Sequence, residues 1–223
     1  MAAGLAALAL SACGSGSNQA AGEPKGHFPV QVTSASFPTA QKLSQHSNLV
    51  IAIRNSGTKT IPNVAVTICN VTCAYPAPKG EGTSAAAFGQ NINQQYLANS
   101  SRPVWVVDAP PGPCTYSCKS GGQGGGVTAY ANTWALGKLR PGRTATFTWA
   151  VTAVQAGRHV VAWEVSAGLA GNAKAVLANG GGLPHGTFTV NVSSKPPQTY
   201  VNNSGQIETE TATIPSPTST TSP

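Results

Sequence analysis

The sequence predicts an all-β domain of stacked sheets, and two observations carry this prediction. Apolar and polar residues alternate with a period of two in several short stretches that turn residues bound, which is the pattern of half-buried strands. The chain also contains 25 Gly and 17 Pro among its 223 residues, and these residue types favour turns. Helical periodicity is weak, and only residues 83–98 admit a short helix. Several short strands at this spacing are typical of a sandwich or a barrel.

Six segments show the strand pattern, and turns such as Asn55-Ser56-Gly57 and Gln155-Ala156-Gly157 separate neighbours. In chain order they are VQVTSAS at 30–36, NLVIAIRN at 48–55, NVAVTIC at 63–69, TATFTWAVTA at 144–153, HVVAWEVS at 159–166 and TFTVNV at 187–192. Because successive side chains on a strand point to opposite faces, each segment has one apolar face. The predicted inward residues are Leu49, Ile51, Ile53, Val64, Val66, Ile68, Phe147, Trp149, Val151, Val161, Trp163, Val165, Phe188, Val190 and Val192.

Further motifs around these strands carry a family resemblance. They are the strand–turn–strand run from Asn48 to Ile68, Trp134-Ala135-Leu136-Gly137, Leu139-x-Pro141-Gly142, and the Trp149 and Trp163 strands around Gly157. In these motifs the chain resembles the immunoglobulin-like modules of bacterial surface proteins, the cell-adhesion-related, CARDB-like group, over residues 44–68 and 134–192. The resemblance implies an immunoglobulin-like Greek-key sandwich of about seven strands over residues 28–194. It leaves the activity open, since such folds host many unrelated functions.

A long insertion, about 70–133, departs from this pattern. It contains AYPAPKGEG, PVWVVDAPPGPC and SGGQGGG, so we expect mostly loop with one strand at Val104–Val107. Segments of this length without regular structure are usually functional or disordered. We therefore expect a partner surface here, with Trp105, Asp108 and Tyr116 as its residues.

The N-terminus predicts an exported, lipid-anchored protein. Residues 2–12, AAGLAALALSA, are too few to span a bilayer, which takes about 20, and match the apolar region of a secretory signal. They end in Leu10-Ser11-Ala12-Cys13, followed by the Gly/Ser-rich run GSGSN. This resembles the bacterial lipobox, which implies cleavage before Cys13 and acylation of its thiol with diacylglycerol chains such as palmitate. Two acyl chains give stable anchoring.

The expected domain organisation follows from this signal. We expect a signal peptide at 1–12, a lipidated flexible tether at 13–27, and location at the cell membrane on its extracytoplasmic face. No Lys or Arg precedes the apolar run, which predicts that the signal peptide is truncated at its N-terminus. The alternative is a buried N-terminal helix with an incidental Cys. The Pro-, Thr- and Ser-rich tail at 195–223 is expected to be disordered.

The charge of the chain argues against a nucleic-acid partner. Its formal net charge is +7, from 13 Lys and Arg against 6 Asp and Glu, but the basic residues are spread out rather than clustered with stacking aromatics. Lys138, Arg140 and Arg143 form the nearest thing to a cluster. They mark a solvated hairpin end or a site of attraction to anionic lipids or wall polymers. We expect a monomer.

Four cysteines follow Cys13 as two C-x₃-C pairs, Cys69 with Cys73 and Cys114 with Cys118. An oxidising compartment makes two disulfides the default. A nested pairing, Cys69–Cys118 and Cys73–Cys114, is slightly favoured because four-residue spacing keeps both cysteines on one strand face. Two local bonds remain open. Zinc sites usually show C-x₂-C spacing, and the copper-delivery motif that C-x₃-C resembles needs a βαβ framework not found here. No metal or cofactor is therefore predicted.

Catalytic patterns are weak. Between residues 30 and 193 the carboxylates are Glu81, Asp108 and Glu164. A Ser–His–Asp triad would combine Asp108 with His159 or His185, but G-x-S-x-G is missing. The run GGQGGG lacks the Lys-Ser/Thr end of a phosphate loop.

The sequence therefore predicts no enzyme. It predicts a non-catalytic, membrane-anchored surface lipoprotein that binds or scaffolds a cell-envelope protein or wall polymer. Two alternatives stay open. One is an extracytoplasmic copper or zinc carrier that uses the cysteine pairs, and the other is a structural spacer without a specific ligand.

Overall fold

The regular structure of the described part of the chain consists of β-strands. The structure, a computed structural model, describes residues 22–73, 87–90, 103–112, 132–179 and 181–209. All regular elements in these ranges are β-strands. These ranges contain no helix long and apolar enough to cross a membrane. In chain order the strands are β1 Gly26–Ser36, β2 Ala40–Lys42, β3 His46–Asn55, β4 Ala65–Asn70, β5 Phe88–Gln90, β6 Trp105–Ala109, β7 Thr133–Ala135, β8 Thr144–Ala153, β9 Gly157–Ser166, β10 Ala173–Leu177, β11 His185–Ser193, β12 Thr199–Val201 and β13 Ile207–Thr209.

Eleven of these strands form two sheets. The six-stranded sheet has the order β10-β1-β3-β8-β6-β5, and the five-stranded sheet has the order β2-β11-β9-β4-β7. The runs β1-β3-β8-β6 and β4-β9-β11 correspond to strands A-B-E-D and C-F-G of an immunoglobulin sandwich. The predicted all-β, immunoglobulin-like class is thus confirmed. To its seven strands this chain adds β2, β5, β7 and β10.

The added strands are short, and three of them make parallel pairs at or beside the sheet edges. Strand β10 pairs in parallel with β1, β2 with β11, and β5 with β6. Strand β5 occupies part of the segment where the sequence admits a helix, so that prediction is wrong over residues 88–90. The rest of 83–98 lies outside the described residues. The strand predicted at Val104–Val107 is present as β6, and β5 is a second strand in the insertion that was not predicted.

The core lies between the two sheets. The inward residues predicted from alternation are buried there, and Phe188 packs against them from a half-buried position. Three fully buried tryptophans, Trp105, Trp134 and Trp149, are its largest side chains. The rings of Trp134 and Trp149 meet edge to face, with centroids 5.6 Å apart. Such aromatic contacts add about 0.5–1.5 kcal/mol per pair beyond burial.

The tail differs from the sequence prediction in one segment. Strands β12 and β13 form a separate hairpin within residues predicted to be disordered. Local hydrogen bonds stabilise it: the Tyr200 hydroxyl donates to Glu208 over 2.7 Å, and the side-chain Oδ1 of Asn202 accepts from the backbone N–H of Gln206 over 2.9 Å. The composition of the tail predicts disorder because it lacks apolar residues to bury, and this hairpin forms by turn chemistry instead. Residues 210–223 lie outside the described ranges.

Candidate binding cleft

A cleft of about 580 Å³ lies on the face of the five-stranded sheet that points away from the core. Its floor is formed by residues of β4, β7 and β9, and its wall by residues of the segment 168–183, which includes β10. Clefts that bind small ligands or parts of larger ones typically measure about 300–1,000 Å³. The size and the position therefore suit a ligand.

Strand register places a row of polar side chains across this face. Residues His185, Glu164, Thr67 and Thr133, which we call the polar row, stand opposite one another on β11, β9, β4 and β7. Directly paired residues share a face because the side-chain period is two. Glu164, Thr67 and Thr133 line the cleft, and the hydroxyls of the two threonines are 2.9 Å apart. The floor of the cleft is thus polar.

Glu164 is the electrostatic centre of the polar row. Partial burial raises the pKa of its carboxyl above the ordinary value, and the nearby charge of His185 partly counters this. Among the residues that the structure describes, no hydrogen-bond donor reaches this carboxyl. A partly desolvated acceptor without a partner is a group that a ligand can satisfy.

One end of the cleft is formed by the loop at residues 168–173, which we call the nest loop. Four of its backbone N–H groups donate to the carboxylate of Glu23, a residue that precedes β1. Leu169 and Ala170 donate to Oε2 over 2.6 and 2.8 Å, and Asn172 and Ala173 donate to Oε1 over 2.8 Å each. The nest loop therefore holds a carboxylate from a distant part of the same chain.

These bonds set the ionisation of Glu23. Burial alone would raise the pKa of its carboxyl, but the four backbone hydrogen bonds outweigh burial and lower the pKa below its ordinary value. The sequence places Glu23 in a flexible tether, whereas the structure attaches it to the domain. Its partners are about 150 positions away in the chain, and no local pattern indicates them.

Trp105, a predicted partner-surface residue, is fully buried, so that prediction is wrong. Its side chain points into the core from β6, where its indole N–H donates to Gln41 Oε1 over 2.8 Å and its ring packs on Phe37 with centroids 5.3 Å apart. The sequence predicts a strand at this position, but within an insertion expected to be mostly loop and to carry a partner surface. Pairing of β6 with β8 in the sheet places the indole inside instead.

Asp108 lies on the six-stranded sheet, away from the cleft, with its side chain about one-third exposed. The register of β6 shifts between Val107 and Ala109, on either side of it. Its carboxylate lies 3.1 Å from His46 Nδ1 and accepts from the Thr152 hydroxyl over 2.7 Å. The structure therefore brings Asp108 to His46, and not to His159 or His185.

This cluster does not have the geometry of a catalytic triad. The Thr152 hydroxyl also lies 2.9 Å from His46 Nδ1, the same nitrogen that Asp108 contacts. In a triad the acid and the nucleophile bind opposite ring nitrogens, so that one orients the base that the other uses. The arrangement is that of a hydrogen-bonded surface cluster.

Cys69 and Cys73 form a disulfide with each other, with Cα atoms 5.2 Å apart. This corrects the slight preference for the nested pairing. Strand β4 ends at Asn70, and Val71 has a φ of 62°, so the chain turns where the nested ladder requires it to be extended. A joined pair supplies no thiolate for a metal, and no group of three or more His, Cys, Asp or Glu in the described residues is arranged to hold a metal ion. Cys13, Cys114, Tyr116 and Cys118 lie outside the described residues.

Comparisons with known proteins give likenesses of fold. No family model matches the chain, and no curated protein matches it in sequence. Among solved structures it is similar to a CARDB domain of Pyrococcus furiosus in complex with di-metal ions, at 12% identity and a TM-score of 0.38, covering 75% of this chain and 94% of that one.

Two other solved structures are similar over much the same part of the chain. One is Escherichia coli alpha-2-macroglobulin, at 14% identity and a TM-score of 0.38, where the match covers 77% of this chain but 7% of that protein. The other is AvmM, described as catalysing macrocyclization in alchivemycin A biosynthesis, at 9% identity and a TM-score of 0.34, covering 78% of this chain and 92% of that one.

Proposed function

We propose that the chain is a non-catalytic, lipid-anchored binding module on the extracytoplasmic face of the membrane, and that it holds a cell-envelope partner in the cleft. The observation that carries this proposal is the polar row, in which Glu164 is partly buried and has no donor among the described residues. A carboxyl beside two hydroxyls suits the hydroxyl and amide groups of a wall polymer or of a peptide backbone.

The position of the insertion supports the same site. The insertion leaves the sheet at the end of β4 and returns at β7, and Thr67 and Thr133 on these strands line the cleft. The two strands that flank the insertion thus contribute to the polar row, while β5 and β6 within the insertion pair in the six-stranded sheet.

Binding through the cleft predicts a specific loss on mutation. In the full chain carrying Cys13→Ala, which removes membrane association through acyl chains, Thr67→Val combined with Glu164→Leu should weaken sedimentation with purified cell-wall sacculi or with membrane fractions at least tenfold, since bonds to a charged acceptor are worth about 1.5–3 kcal/mol. Thr148→Val, on the exposed face of the six-stranded sheet, is the matched control and should bind like the unmutated chain. Equal binding by the cleft variant would refute the cleft as the site. Absence of saturable binding to every fraction would favour a spacer.

Anchoring rests on the lipobox-like run that ends at Cys13. In the full chain expressed with a complete signal peptide, Cys13→Ala should move the protein from the membrane fraction to the soluble fraction, since no acyl chain can be attached. Fractionation followed by mass spectrometry of the N-terminal peptide measures both outcomes. Membrane association unchanged by the substitution would contradict the anchor.

A further inference from the structure

The nest loop has the construction of an anion site. Successive backbone N–H groups that converge on one point form a concavity that binds anions, and here four of them converge on one carboxylate within 2.8 Å. Both oxygens receive two bonds each. This two-by-two pattern matches a carboxylate, which has two acceptor oxygens in one plane.

Two glycines shape the loop around the anion. A side-chain carbon at Gly168 would overlap the Glu23 carboxyl group, so the close approach requires glycine there. Gly171 has a φ of +77°, a left-handed conformation that glycine adopts without steric cost. The concavity is therefore a property of the loop backbone rather than of the side chain that occupies it.

The carboxylate in the nest loop belongs to Glu23, which lies outside the loop and next to the tether. Glu23 is one residue after the first described position, and the adjoining chain is fixed by one further bond, from the Gly26 N–H to the Asn172 carbonyl over 3.1 Å. A ligand attached to its own site acts at a high effective concentration. Glu23 therefore excludes weak free anions but yields to a ligand that gains additional contacts nearby.

Those contacts are available because Gly168, Leu169 and Gly171 of the nest loop also line the cleft. We infer that the nest loop is the carboxylate-binding subsite of the cleft, occupied in cis by Glu23, and that a partner bearing a carboxylate displaces Glu23 when it binds. The inference rests on the proposed function and names the chemistry of its ligand. Displacement would also release the residues just before β1, which lead to the tether, while β1 itself stays paired with β10.

Acetate is the probe that tests the subsite. In the ¹⁵N-labelled full chain with Glu23→Ala, sodium acetate should shift the amide resonances of Leu169, Ala170, Asn172 and Ala173 saturably and towards their positions in the unmutated chain. Sodium chloride at equal ionic strength should not. The unmutated chain should need at least tenfold more acetate for the same shift. Adding Gly168→Ala to Glu23→Ala should abolish the shift, because the new methyl group fills the subsite.

Several outcomes would overturn the inference. These are no saturable shift in Glu23→Ala, an equal shift in the unmutated chain, or a shift that survives in the double variant. Unchanged resonances of β3 and β8 show that the fold is intact. If the loop amides broaden beyond detection in Glu23→Ala, the variant Glu23→Gln is used instead. The uncharged Gln side chain binds the nest loop more weakly, so acetate should displace it at a lower concentration than it displaces Glu23. Displacement at equal acetate concentrations would refute the inference. Binding of acetate to the nest loop requires neither Glu164 nor an envelope fraction. A negative result here can therefore be distinguished from a negative result in the test of the proposed function.

Discussion

Two glutamates of this domain show how hydrogen bonding determines what burial does to a carboxyl. Both are partly buried, and burial raises the pKa in each case. At Glu23, four backbone N–H groups stabilise the charged form and lower the pKa overall. At Glu164, only the nearby charge of His185 opposes burial, and the pKa stays raised. The difference lies in the donors, which neither local sequence supplies.

The two carboxyls should therefore respond to pH with opposite signs. A raised folded pKa means that the stability due to Glu164 is fully present below the unfolded pKa, about 4.3, and is lost as the pH rises through the folded pKa. Glu164→Gln should thus raise the free energy of unfolding at pH 7, by less than about 1 kcal/mol because the carboxyl remains partly solvated, and leave it unchanged at pH 3. Urea titrations at both pH values measure this.

Glu23→Gln is the contrasting variant. Because the pKa of Glu23 is lowered in the folded state, its carboxyl stabilises the fold at pH values above the unfolded pKa. This stability is lost as the pH falls through the folded pKa. This variant should lower the free energy of unfolding at pH 7 and lose its effect in acid. The same sign for both variants at pH 7 would show that one of the two environments is misassigned.

At the scale of elements, the pairing of β9 with β11 depends on a glycine. Gly186 stands opposite Trp163, and a side-chain carbon at Gly186 would lie 2.6 Å from Cζ2 of the indole. Trp163 is a buried core residue with 5% exposure. The indole of Trp163 thus lies over β11 at Gly186, where only glycine fits. This explains a glycine within a strand, which is otherwise unfavourable.

Gly186→Ala should consequently destabilise the domain. The added methyl group must displace a buried indole, and overpacking of this kind costs about 1–3 kcal/mol. Gly182→Ala is the matched control, since its added carbon would meet Leu177 at an ordinary 3.8 Å. Urea unfolding followed by tryptophan fluorescence compares the two variants. Equal midpoints would contradict the close contact at Gly186.

Long strands were predictable because their alternation is determined by burial on one face. Strand β8 has the predicted bounds, and β3 and β9 each begin two residues before the predicted segment. Strands of three residues, such as β5 and β7, are too short to show a period. Strand β10 pairs with β1, a distant segment that the local sequence of β10 does not indicate.

At the scale of the whole molecule, β12 and β13 form a sheet of their own. Its strands pair only with each other among the described residues, and Tyr200, Val201 and Ile207 are each more than half exposed. A two-stranded hairpin buries too little to stabilise a domain. The sandwich should therefore not depend on it.

Truncation measures this independence. Ending the chain at Pro197 should change the free energy of unfolding by less than about 0.5 kcal/mol, the range of surface changes. Ending it at Pro184 also removes β11, a central strand of the five-stranded sheet, and should abolish the cooperative transition. A loss above about 1 kcal/mol in the longer chain would mean that the hairpin packs on the body.

The sequence by itself determined the all-β class, the faces of the long strands and the core residues that those strands contribute. These follow from alternation, which reports burial on one side of a strand and needs no knowledge of the partner strand. It also indicates the lipobox-like Cys13, a local signal that the described residues do not include.

Only the tertiary structure decided the site. The polar row requires the register of four strands, the nest loop requires Glu23 from about 150 positions away, and the burial of Trp105 requires the pairing of β6 with β8. Each of these contacts joins segments that are distant in the chain and is determined by packing. The sequence of one strand does not indicate which strand it pairs with.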